Sequence, residues 1–154
     1  MIKNLSEKIK YDKLVFSINE EDKTASVISN DNASGDVFIP KFKNFNNQEY
    51  NVICIKEGAF RNTKSLYSLS FPVDSKVQKI EKDVFTFSGI ESLFIPTSVQ
   101  ELEEGFCRGA SKLKLITVMP SNKQLMNIDN KMIVSKRKNN FDSEEYDNLI
   151  FVRR

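Results

Sequence analysis

LYSLSFPVDSKVQKIEKDVF, running from Leu66 to Phe85, and IESLFIPTSVQELEEGF, from Ile90 to Phe106, are two copies of one unit. Each opens on a short segment ending in proline, and a third such segment, LKLITVMP, spans Leu113 to Pro120. Apolar residues fall at the first, fourth and sixth positions: Leu66, Leu69 and Phe71; Ile90, Leu93 and Ile95; Leu113, Ile116 and Val118. The spacing of two between the last members of each set is that of a strand with one buried face. Proline has no N–H for a ladder and so marks strand ends and edges. Pro72, Pro96 and Pro120 stand at equal steps of 24 residues, while the step from Pro40 is longer. After the proline comes a second shared motif: VICIKEGAF (Val52 to Phe60), VQKIEKDVF (Val77 to Phe85) and VQELEEGF (Val99 to Phe106). Each has a valine, an aliphatic residue three places on (Ile55, Ile80, Leu102) and a closing phenylalanine.

A strand that stops every 24 residues marks a solenoid coil, because repeats with this period, roughly 20–29 residues, stack strand on strand. One coil cannot bury its own apolar side. Stacked coils can, through continuous ladders of Leu/Ile and of Phe60, Phe85 and Phe106. The expected fold is therefore a mainly β solenoid with short strands on a concave face and irregular or short helical convex connections. Three regions of a single structural domain are expected: a lead-in and capping hairpin over 1–35, repeats over 36–120, and a closing hairpin segment over 121–154.

These motifs resemble the BspA-type leucine-rich repeat, whose pattern L-x-x-I-x-I-P-x-x-V-x-x-I-G-x-x-A-F-x-x-C is carried best by IKEGAF (Ile55 to Phe60) and LFIPTSV (Leu93 to Val99). The tail, NKQLMNIDNKMIVSK (Asn122 to Lys136) followed by NLIFVRR (Asn148 to Arg154), is similar to a hairpin segment found after repeats in that family. The chain departs from the pattern at two columns. The glycine is replaced by Lys56, Glu81 and Glu103, and the cysteine by Thr63, Ser88 and Gly109. The resemblance implies a non-catalytic leucine-rich repeat protein of the surface-antigen or adhesin kind, binding host or matrix protein.

Along the chain, Met1 to Lys10 shows no period and reads as a frayed lead-in. Leu14 to Ile18 and Thr24 to Ile28 read as strands around the polar turn Asn19 to Lys23, a hairpin capping the first coil. Val37 to Ile39 is the first solenoid strand, Lys41 to Tyr50 an insertion, and Met132 to Ser135 with Leu149 to Val152 the closing hairpin. The charged stretch from Lys136 to Asp147 reads as its solvated tip. Ending on Arg153 and Arg154 just after a strand is expected of a fragment or a short family member.

The 154 residues carry a net charge of +2, which leaves no footprint for nucleic acid or an anionic membrane. No stretch approaches the ~20 apolar residues of a membrane-spanning helix. The N-terminus lacks the roughly 7–15-residue apolar core of a signal peptide, so composition points to the cytosol and the resemblance to the cell surface. Histidine is absent, which removes Ser-His-Asp and Cys-His nucleophilic sites and the commonest metal ligand. Neither a phosphate-binding glycine loop nor a metal-ligand cluster appears, so no cofactor, metal or catalytic residue is expected. Cys54 and Cys107 lie two coils apart, about 10 Å by strand spacing, beyond the ~7 Å a disulfide spans. Two free thiols are expected.

What remains is surface. Residues between the buried strand positions face the concave side, in one row of Phe38, Ser70, Phe94 and Thr117 and another of Asp36, Ser68, Ser92 and Leu115. Phe38, Phe94 and Leu115 among small hydroxyl residues form a candidate protein-binding face with Ser68, Ser70, Ser92 and Thr117. Two plainer accounts stand beside it: strand surfaces favour aromatic and branched residues, and a longer loop could cover them. An intracellular scaffold, and a structural fragment whose last strand pairs edge to edge with further repeats or with a second copy, are the competing functional readings.

Overall fold

The computed structural model describes residues 8–129, 132–136, 145–146 and 148–152. The lead-in before Lys8, most of the charged stretch between Arg137 and Asp147, and the terminal arginines lie outside these residues. Among the described residues the chain is a mainly β solenoid of about four turns without a helix.

Three strands precede the coils: β1 (Lys8–Tyr11), β2 (Leu14–Asn19) and β3 (Thr24–Asn30). Lys8 to Lys10 thus pair with β2 rather than fraying, Lys8 opposite Ser17. The hairpin of β2 and β3 forms where the alternation of Leu14, Phe16 and Ile18 with polar residues places those three in the core. Its second strand also pairs in parallel with the first repeat, so Val27 lies opposite Ile55 and serves as a rung of the stack as well as a cap.

The repeats follow as β4 (Gly35–Phe38), β5 (Phe42–Phe45), β6 (Gln48–Ile55), β7 (Leu66–Ser70), β8 (Lys79–Ile80), β9 (Ser92–Ile95), β10 (Glu101–Leu102) and β11 (Leu115–Val118). They build two walls. The proline-terminated segments form one parallel sheet in the order β11-β9-β7-β4, and the Val-x-x-Ile segments extend the other, β1-β2-β3-β6-β8-β10. Ile55, Ile80 and Leu102 stand in register across the second wall, and Leu69, Leu93 and Ile116 across the first. The insertion after Pro40 is a hairpin of β5 on β6. Asn46 and Asn47 turn it with φ of 47° and 60°, the left-handed pair that a tight two-residue turn needs and asparagine tolerates. The spacing of three between Leu66 and Leu69 also has a cause. Gly35 pairs with Leu66 and Asp36 with Ser68, so Tyr67 is an extra residue bulged from the ladder.

Between the walls lie Phe60, Phe85 and Phe106, each fully buried. Phe60 and Phe85 stack with ring centroids 5.7 Å apart. The coil backbones also bond here, the Phe60 N–H to the Val84 carbonyl at 3.0 Å and the Phe85 N–H to the Phe106 carbonyl at 2.6 Å. Gly89 permits a second close approach: a Cβ there would stand 1.9 Å from the Lys64 carbonyl oxygen. Side chains seal the ends of the stack. At the front, the Asn30 amide donates to the Ala59 carbonyl at 2.7 Å and accepts from the Ala33 N–H at 3.0 Å. At the back a three-stranded sheet of β12 (Leu125–Ile128), β13 (Met132–Ser135) and β14 (Asn148–Val152) folds over the last coil. It contains the expected closing hairpin and one further strand, β12. Its Phe151 meets Phe106 at 5.8 Å and extends the aromatic column by one ring. Buried Asn122 ties this sheet to the last coil, donating to the carbonyls of Pro96 and Val99 and accepting from Gln124 and Leu125.

The departures from the repeat pattern have a structural use. The Glu81 carboxylate accepts the Glu57 N–H at 2.8 Å, and the Glu103 carboxylate accepts the Lys82 N–H at 2.8 Å, so each glutamate reaches back to the coil before it. Lys56 lies 3.0 Å from Glu81, and Lys79 lies 2.6 Å from Glu103. Burial pushes the Glu81 carboxyl upward, but the Glu57 N–H and the Lys56 ammonium outweigh it and hold the group below its ordinary value.

Cys54 and Cys107 are free and buried. Burial, partly offset at Cys54 by the Lys56 charge, raises the Cys54 thiol to about 11; burial raises Cys107 to about 12. Both are therefore protonated and shielded at neutral pH, the unreactive state of a thiol.

Three outcomes follow from this packing. Phe85→Ala removes the ring that links neighbouring coils and should cost roughly 3–5 kcal/mol in denaturant unfolding, as buried Phe→Ala changes do. Because Glu81 binds its proton more weakly folded than unfolded, its stabilisation is full above the ordinary carboxylate range and is lost as pH falls through the lowered value. Glu81→Gln should therefore lower stability at neutral pH and flatten the acid limb of a stability–pH curve. Both thiols should resist a disulfide-exchange reagent in the native chain and react together on unfolding, which a colorimetric thiol titration with and without denaturant checks.

Candidate protein-binding face

The sheet β11-β9-β7-β4 presents its unburied residues in straight rows because parallel strands in register repeat each position from coil to coil. Asp36 pairs with Ser68, Ser68 with Ser92, and Ser92 with Leu115, which makes one continuous row across all four strands. In the adjacent row Phe38 stands opposite Ser70, and Phe94 opposite Thr117. The candidate residues thus share one sheet face. They do not make one hydrophobic cluster. Phe38, 56% exposed, lies on the first strand, and Leu115, 48% exposed, lies on the last. Three strand steps separate them, about 14 Å at the usual strand spacing. Phe94 lies between, half-buried, with half-buried Ser68, Ser70, Ser92 and Thr117 around it.

The face is close to neutral at its centre and charged along one border. The Ser68 hydroxyl donates to the Asp36 carboxylate at 2.5 Å. At the start of the strands, Glu91 and Lys114 form an ion pair at 2.8 Å, the coil-to-coil neighbours of Tyr67 in the backbone ladder. The Lys114 ammonium, as donor and as charge, holds the Glu91 carboxyl below its ordinary value. Such an exposed pair adds little stability but fixes charge at the rim of the face. Tyr67, 55% exposed, adds a ring beside it. Its bulge is what turns the ring out of the core, and the spacing of three after Leu66 is the signal of it in the sequence.

Chemically the face offers hydroxyls, aromatic rings and aliphatic surface, with the Ser68 hydroxyl held by the Asp36 carboxylate. Among the described residues no group of three or more His, Cys, Asp or Glu is placed to hold a metal ion. Nor is any helix among them long and apolar enough to cross a membrane.

The BspA type leucine rich repeat region matches residues 39–144 in six copies, which is more than half of the chain. No curated protein matches. Among solved structures, a leucine-rich repeat protein from Bacteroides ovatus aligns with a TM-score of 0.61 at 23% identity, over 75% of this chain and 30% of that one. The chain thus spans less than a third of that protein's length. A leucine-rich repeat protein from Bacteroides capillosus aligns at 0.49 and 21% identity over 73% of this chain and 98% of that one. A leucine rich cell surface protein from Faecalibacterium prausnitzii aligns at 0.39 and 14% identity, over 86% of this chain and 59% of that one. With its coils, proline-ended strands and phenylalanine column in place, the chain belongs to the BspA-type leucine-rich repeat family.

Proposed function

We propose that this protein is a non-catalytic binding module that holds another protein against the face of the sheet β11-β9-β7-β4. The observation that carries the reading is the exposure of Phe38 and Leu115 at the two borders of a face whose centre is small hydroxyls around Phe94. Large apolar groups separated by small polar ones suit a partner that anchors at several points. The setting we favour is that of a surface antigen or adhesin contacting host or matrix protein, in line with where members of this family are displayed. The alternative is an intracellular scaffold, favoured by two cysteines that remain thiols.

Labelling intact cells with a membrane-impermeant amine reagent separates the two settings; modification of this chain, with a cytosolic control left unmodified, supports display. For binding itself, the chain is tested against immobilised matrix proteins. The double variant Phe38→Ser, Leu115→Ser and the single variant Phe94→Asp should each weaken capture at least tenfold, about 1.4 kcal/mol. Val73→Ser, at a position 85% exposed in the turn after Pro72, should leave it unchanged. Unaltered capture by a folded Phe94→Asp chain would sink the proposal.

A further inference from the structure

The two walls of the solenoid end differently at the back. In the first wall, the outward side of β11 is closed by one side chain: Asn127 accepts the Val118 N–H at 2.5 Å and donates to the Ile116 carbonyl at 3.2 Å. The Asn127 amide thereby stands in for the peptide group of a neighbouring strand. This seals the edge where pairing with further repeats would start. In the second wall the edge is β10, where the sheet ends. Glu101 and Glu103 point their N–H groups back to the Gln78 and Ile80 carbonyls, so the Leu102 N–H and C=O point the other way. No described residue bonds to them, nor to the Glu104 N–H. Beside this edge runs a groove of about 620 Å³, walled by β10 on one side and by Ser135, Lys136, Leu149 and Ile150 on the other. Its volume lies in the range of binding pockets, roughly 300–1,000 Å³.

The earlier coils show what fits such an edge. Above Ile55 lies Ile80-Glu81: the Glu81 N–H donates to the Ile55 carbonyl at 3.0 Å, and its carboxylate takes the Glu57 N–H. Above Ile80 lies Leu102-Glu103: the Glu103 N–H donates to the Ile80 carbonyl at 3.0 Å, and its carboxylate takes the Lys82 N–H. The next rung would meet the Leu102 carbonyl and the Glu104 N–H, the same two groups in the same relation. From this we infer that the groove beside β10 is a second binding site, and that its occupant is an extended peptide segment of a partner protein carrying an aliphatic residue followed by a carboxylate. It adds as a parallel strand. The backbone N–H of the peptide's acidic residue donates to the Leu102 carbonyl, and the side-chain carboxylate of that residue accepts the Glu104 N–H. Leu149, 53% exposed, offers apolar surface on the facing wall. The setting differs in charge from the earlier coils: Lys56 and Lys79 balance Glu81 and Glu103 there, whereas at this edge the equivalent positions are Glu103 and Glu101, and the cations lining the groove are Lys79 and Lys136. This site is separate from the strand face proposed above.

The probe is a fluorophore-tagged, end-blocked hexapeptide with the sequence of Gln78 to Asp83, QKIEKD, titrated with the whole chain and read by anisotropy. Saturable binding is expected. A peptide with Gln in place of the glutamate, and one N-methylated at that glutamate, should each bind at least fivefold more weakly, because each removes one of the two bonds while the protein stays unaltered. Slowed amide exchange at Leu102 and Glu104 on binding should accompany it, and Phe38→Ser should bind the peptide normally. No saturation up to about 1 mM, equal binding of all three peptides, or loss of binding in Phe38→Ser would each overturn the inference.

Discussion

The structure depends on the burial of one phenylalanine per coil by the coils on either side. Phe85 packs on Phe60 and bonds through its N–H to the backbone of Phe106, so neither side chain nor backbone is satisfied within its own coil. A coil of 24 residues has no interior, and the hydrophobic and hydrogen-bonding gains both arise between coils. The registers of the two walls follow from this. Once the phenylalanines stack, Leu69, Leu93 and Ile116 align on one side, and Ile55, Ile80 and Leu102 on the other.

A stack of this kind leaves a raw surface at each end, with apolar side chains and unpaired peptide groups. Edge strands of that sort pair with other chains unless blocked. Three asparagines do much of the blocking here. Asn30 ties the front loop to the first full coil, Asn122 anchors the back sheet, and Asn127 occupies the edge of β11. The amide suits the task because it carries a donor and an acceptor in the geometry of a peptide group. Phe151 performs the matching service for the aromatic column. The outward peptide groups of β10 have no such partner among the described residues.

The glutamates show how a departure from a family pattern can keep a fold. In the column where the pattern has glycine, Glu81 and Glu103 bind the previous coil with their carboxylates. Lysines at positions 56 and 79 balance the charge. The outcome is a seam of charge-assisted bonds along the wall of β6, β8 and β10, beside the apolar column inside.

The repeat period, the strands ending at proline, the core columns and the register of the rows on the sheet β11-β9-β7-β4 were all legible in the residues, because a stacked coil forces the same side-chain pattern to recur. The rows through Ser92 and Phe94 follow from alternation alone. What sequence could not supply were features that belong to one place only. The pairing of Lys8 to Lys10, the strand β12 and the hairpin at Asn46-Asn47 break no pattern and repeat none, so periodicity carried no sign of them. The roles of Asn127 and Phe151 depend on which backbone edge and which ring happen to lie opposite, across 9 residues in one case and 45 in the other. Only the folded back sheet sets those distances, and it closes the edge of β11 while no described residue closes that of β10.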